Sequence, residues 1–143
     1  MFNVYAQRAT IPSDMDKELS EAYSYMLQHK LYDMSAATGT RLDTSFTSYI
    51  TSNNSPFIFI NLKNNISDLS TISHQFGKFT YYYYNDTKNY SEGVSEIYAY
   101  ATELITYATE HRMWTEDALR LRFSTITSII RDMLKSCALA SYE

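Results

Sequence analysis

Apolar positions recur at helical spacing over most of this chain and at strand spacing in one stretch only. Met15, Leu19, Ala22, Tyr23, Met26 and Leu27 follow the pattern of one helix face. With Ser13 able to cap and Asp14 and Asp16 in the first turn, they predict a helix from about 13 to 34. Gly39 marks a break. The segment SFTSYITSNNSPFIFINL then carries two short β-branched and aromatic runs, about 46 to 51 and 56 to 62, around a turn-rich Ser52-Asn53-Asn54-Ser55-Pro56. They predict a β-hairpin. Ser67, as a cap, and Asp68, in the first turn, open a helix from about 67 to 84. Asn85-Asp86 through Asn89 read as a turn, and a helix rich in alanine, leucine and glutamate follows from about 91 to 110. A last helix starts near Thr115, where Thr115-Glu116-Asp117 resembles a cap with acidic first-turn residues, and runs to about 138. The expected fold is mainly α (α+β), about four helices plus one β-hairpin, in a single domain over 1–143.

Composition sharpens this in two places. Fourteen tyrosines stand against three glycines, so the turn chemistry of an all-β fold is lacking. A chain of 143 residues with 45% hydrophobic and 20% charged residues can bury a real core. A net charge of −4 and a pI near 5.3 give no basic footprint, which argues against nucleic acid and acidic membrane surfaces as partners. No apolar run approaches the ~20 residues of a membrane span, and MFNVYAQRAT lacks the features of a signal peptide, so a cytoplasmic location is expected. The single cysteine, Cys137, excludes an internal disulfide and is expected to be a small buried hydrophobe. Tyr81 to Tyr84 would point around the whole helix cylinder and are expected in core or interface. Packing is likewise the reading for His111, Met113 and Trp114, and solvated faces for Arg120, Arg122 and Arg131.

The candidate chemistry lies in HQFGK, residues 74–78. It stands two letters from H-E-x-x-H, in which two histidines one helical turn apart bind zinc and the glutamate is the general base. His74 and Lys78 are i and i+4 and share a face, while Gln75 is turned about 100° away. On the next helix Glu96 and, two turns later, Glu103 share a face, and an antiparallel helix pair could return Glu96 to His74. No nucleophile motif of the G-x-S-x-G type occurs.

The flanks of this motif resemble the oligoendopeptidase F branch of the thimet-oligopeptidase-like zinc metallopeptidases. SPFIFINLKNNISDLSTISHQFGKF is similar to that family's strand, loop and zinc helix, and VSEIYAYATELI to the segment that supplies its third zinc ligand. YMLQHKLYDM resembles the helix before the hairpin, and LRFSTITSIIRDMLKSCALASYE the helix after the third ligand. The resemblance implies that His74 matches the first ligand and Glu96 the third. Gln75 stands at the general-base position, where an amide cannot take a proton from water. Lys78 stands at the second histidine, and its ammonium has no lone pair for a metal. RLDTSF stands where the family has a glycine-rich substrate loop. In the family, a helical lobe precedes this region and further helices with a histidine and a tyrosine follow it.

The expectation is therefore an oligoendopeptidase F-like protein that has lost zinc-dependent peptidase activity. It has no catalytic residue and no metal at the vestigial ligand positions His74, Lys78 and Glu96, and no cofactor, zinc being the cofactor of the related family. Lys78 is expected to pair with Glu96 in place of the metal. The remaining role is peptide binding or interaction, with an extended peptide added at the hairpin edge. The alternative is an active zinc metallo-oligopeptidase completed by a partner chain or by unusual ligands. Apolar helix faces that larger enzymes cover predict a homo-oligomer, most simply a two-fold dimer.

Overall fold

The computed structural model describes residues 17–36, 39–85, 91–109 and 115–142. Ser13 to Asp16, Asp86 to Asn89 and Glu110 to Trp114, to which the sequence assigns a cap, a turn and a helix junction, lie outside the described residues.

The first helix, α1 (Lys17–Gln28), buries Leu19, Ala22 and Met26, the face that the apolar spacing marks. It is shorter at its C-terminal end than expected. Lys30 takes a left-handed conformation at φ 52°, and its N–H donates to the Leu27 carbonyl while that of Leu31 donates to Met26. That pair of bonds is a Schellman stop, a role glycine usually fills. Beyond it the chain forms a strand, β1 (Tyr32–Ala36), where continued helix was predicted. The hairpin is thus two strands of a three-stranded sheet in the order β1-β3-β2. β2 (Phe46–Ile50) pairs antiparallel with β3 (Ser55–Leu62), Phe46 opposite Phe59. β1 pairs parallel with the other side of β3, Tyr32 opposite Ile58 and Ala36 opposite Leu62. The central strand reads as the apolar run PFIFINL: Ile58, Ile60 and Leu62 are buried in the core, and Phe57 and Phe59 on the other face are half-buried.

Three helices follow in the predicted places. α2 (Ser67–Tyr84), α3 (Glu92–Thr109) and α4 (Thr115–Ala140) match the expected bounds within two residues. Ser67 is not the cap of α2, however. It lies inside the helix, and the loop is fastened by the Asp68 carboxylate, which accepts the Lys63 and Asn65 N–H groups, and by Asn65 Oδ1, which accepts the Ser67 N–H. The core forms where α1 and α2 cover β3: Leu19, Ala22, Met26, Ile58, Ile60, Phe76 and Phe79 pack together. Cys137 is exposed, against expectation, because the C-terminal part of α4 has nothing packed on its apolar side among the described residues. No helix of the described residues is long and apolar enough to cross a membrane.

Candidate functional site

α2 and α3 run antiparallel and in close contact, and one residue sets how close. A Cβ added to Gly77 would lie 2.6 Å from the Ala99 Cα and 2.6 Å from the Tyr98 carbonyl oxygen. Only glycine fits there without displacing backbone. With Ala99, Ser95 and Thr80 also buried on this seam, the helices approach near enough for polar groups on either side to meet.

They meet around His74. Its Nδ1 donates to Glu103 Oε1 at 2.6 Å, and its Nε2 faces Glu96 Oε2 at 3.2 Å. Lys78, one turn further along α2, donates from Nζ to the other oxygen of Glu96. The Tyr100 ring stands edge-on to the imidazole with centroids 5.3 Å apart. The sequence-predicted residues His74, Lys78 and Glu96 thus come together. Gln75 does not join them: it is buried on the β2 side of α2, where the Thr47 hydroxyl lies 2.9 Å from both its side-chain oxygen and its carbonyl oxygen. Its amide now ties the helix to an outer strand of the sheet.

Glu103 is the residue whose part sequence reading missed. It is 3% exposed, and its Oε2 accepts hydroxyls from Ser70 (2.8 Å), Tyr107 (2.9 Å) and Thr125 (2.8 Å). Burial pushes this carboxyl up, but the bonds from His74, Thr125, Ser70 and Tyr107 outweigh that and hold it below the ordinary carboxylate range. Its seven-residue spacing from Glu96 was a signal for a shared face, whereas Ser70 on α2 and Thr125 on α4 arrive only through tertiary packing. Tyr100, on the same side, donates to Asp132 of α4 at 2.7 Å, and burial together with that bond pushes its hydroxyl up to about 12.

Above these groups opens a polar cleft of about 460 Å³ that reaches from His74 and Gln75 across Asp43, Ser45 and Lys63 to Ser128. One lining group is unspent: Asn61 Oδ1 is buried and accepts no hydrogen bond. An unpaired buried acceptor favours a ligand or water that brings a donor.

Two solved structures share this architecture. One, PZ peptidase A with an inhibitor, is 24% identical with a TM-score of 0.63. The other, described as an oligoendopeptidase F, is 25% identical with a TM-score of 0.65. The fold is peptidase-like. Each match takes in 79% of this chain, which spans only about a fifth (21%) of either neighbour. No family model matches the chain, and neither does any curated protein.

The donor set can be tested directly against the zinc ion of the resembled family. A catalytic zinc needs three protein ligands converging on one point. Glu96 and Glu103 lie on opposite edges of the imidazole, each facing a different ring nitrogen, so the two carboxylates do not converge. Both Glu103 oxygens are occupied by internal donors, and an ammonium sits against Glu96. Among the described residues no group of three or more His, Cys, Asp or Glu side chains is disposed to hold a metal. These residues do not fit a catalytic zinc.

Proposed function

We propose that this chain is a metallopeptidase-like module without peptidase activity, in which Lys78 has taken over the electrostatic place of the zinc ion, and that its retained role is to bind an extended peptide. The observation that carries this reading is the sequence of contacts Lys78, Glu96, His74, Glu103. Each of these four groups is committed to a neighbour inside the protein. A carboxylate partly withdrawn from water favours a nearby cation, and the ammonium of Lys78 supplies one to the half-buried Glu96 from within the chain. Gln75 has no accessible proton equilibrium near neutrality and faces Thr47, so it offers no general base.

Peptide binding is supported by the sheet. β2 pairs on one side only among the described elements and runs past the polar cleft, whose residues Asp43, Thr44 and Ser45 lead into it. Backbone groups on such an edge can accept an added strand, with cleft side chains meeting the peptide's alternate residues.

The test is a fluorogenic-peptide assay with and without added zinc, together with metal analysis of protein purified without chelator. No hydrolysis and less than a tenth of an equivalent of zinc are expected. Chelator-sensitive cleavage, or stoichiometric zinc that Glu96→Ala removes, would sink the proposal and favour an active enzyme with unusual ligands.

A further inference from the structure

The last helix carries an apolar seam with a repeat of its own. Leu119, Phe123, Ile126, Ile130, Met133 and Cys137 follow one another at spacings of 4, 3, 4, 3 and 4 residues. All six are exposed, from 46% at Ile126 to 74% at Phe123. That period is 3.5, the heptad of a left-handed coiled coil. A different face of α4 turns towards α3, where Thr125 donates to Glu103 and Asp132 accepts from Tyr100. The seam is thus additional to the packing that holds α4 in place.

We propose that α4 pairs antiparallel with α4 of a second copy of this chain, around a two-fold axis near residue 128. Three observations select that occupant. The first is area. Side chains of this size present on the order of 100 to 200 Å² when free, so six of them exposed by about half to three quarters offer roughly 300 to 800 Å², a range whose upper end reaches the ~800 Å² per partner of a stable interface.

The second is self-complementarity. The two-fold axis places Leu119 opposite the partner's Cys137, Phe123 opposite the partner's Met133 and Ile126 opposite the partner's Ile130. These are isologous contacts, and the second sets an aromatic ring against a thioether.

The third is charge. From Phe123 to Ala140 the seam and its flanking positions, including Thr127, Leu134 and Ser136, are uncharged, while Arg131, Asp132 and Lys135 fall outside them. Depletion of charge at the centre is the mark of an interface. Arg120 and Arg122 flank the seam near its start and are exposed. A parallel pair would gather four guanidinium groups at one end. The antiparallel pair sets each beside the partner's Leu134 or the partner's Ser136, where the arginine stem can cover apolar surface.

Light scattering and sedimentation velocity of the 143-residue chain at tens of micromolar test the interface, and Cys137 reports the orientation. The expected results are a dimer and a shift to monomer on Ile130→Glu with helix content retained, since Ile130 lies outside the monomer's core. In the antiparallel pair the two Cys137 residues stand about 27 Å apart, from ~1.5 Å per residue over the seam. That is far beyond the ~7 Å a disulfide spans. Mild oxidant should therefore leave the natural chain uncrosslinked and crosslink the Leu119→Cys variant through Cys137. A monomeric natural chain, or a dimer that survives Ile130→Glu, overturns the interface. A disulfide between the two natural Cys137 residues overturns the antiparallel arrangement.

Discussion

Glu103 receives one bond from an imidazole and three from hydroxyls, and these come from three helices: Ser70 and His74 on α2, Tyr107 on its own α3, Thr125 on α4. A buried carboxylate so placed acts as the polar pin of the helix layer. Replacing it by alanine would leave four donors without this acceptor, two of them, Tyr107 and Thr125, buried, at about 1 kcal/mol or more for each buried one after relaxation. Glu103→Ala should therefore lower stability by roughly 3 kcal/mol, read as a fall in the urea midpoint, with Glu103→Gln intermediate because one acceptor oxygen survives. A loss below about 1 kcal/mol for the alanine variant would show that the cage is incidental. This residue also marks how far the site could be read from sequence. His74, Lys78 and Glu96 were legible because i, i+4 spacing and an antiparallel return are local rules. The Ser70 and Thr125 hydroxyls around Glu103 were not, since serine and threonine are common and only tertiary packing brings these two to it. Gln75 was legible as a broken base but not as a tie to Thr47, which depends on where β2 lies.

At the scale of elements, α2, α3 and α4 were readable because long apolar periodicities set them, and the central strand because it is a continuous apolar run. The end of α1 and the strand after it were not. Tyr32-Asp33-Met34-Ser35-Ala36 has no β-branched residue and alternates weakly, and its pairing is with residues 58–62, far along the chain. The stop that frees it uses Lys30 at φ 52°, a conformation that costs an L residue about 1 kcal/mol or more and that glycine adopts without a steric penalty. A helix ended by lysine gives no sequence signal. The strain also makes a prediction: Lys30→Gly removes a clash in the folded state, partly offset by a more flexible unfolded chain. A gain of about 0.5 to 1 kcal/mol is expected, a rise of a few degrees in Tm by calorimetry. Destabilisation would mean that the lysine side chain makes a contribution larger than the backbone strain.

For the whole molecule, tyrosine hydroxyls join elements that otherwise meet over limited apolar area. Tyr84 on α2 donates to the Glu18 carbonyl and to Glu21 on α1. Tyr100 and Tyr107 on α3 fasten α4 through Asp132 and Thr125. All three hydroxyls are pushed up to about 12: burial comes first in each case, reinforced by Glu21 at Tyr84, by Asp132 at Tyr100 and by the Glu103 charge at Tyr107. The unfolded chain releases these protons near 10. A folded-state value above the unfolded one means that the contribution is complete below about pH 10, declines as pH rises from there, and is lost once pH passes about 12. For the fully buried Tyr107 this amounts to at most roughly 3 kcal/mol. The urea midpoint should therefore stay level between about pH 8 and 9.5 and fall steeply by about pH 11.5, in step with late tyrosinate absorbance. The decisive comparison is Tyr107→Phe, which removes the hydroxyl: its midpoint should start lower and decline less over the same range. Parallel curves for the two proteins would remove the Tyr107 hydroxyl from any account of what holds α3 to α4.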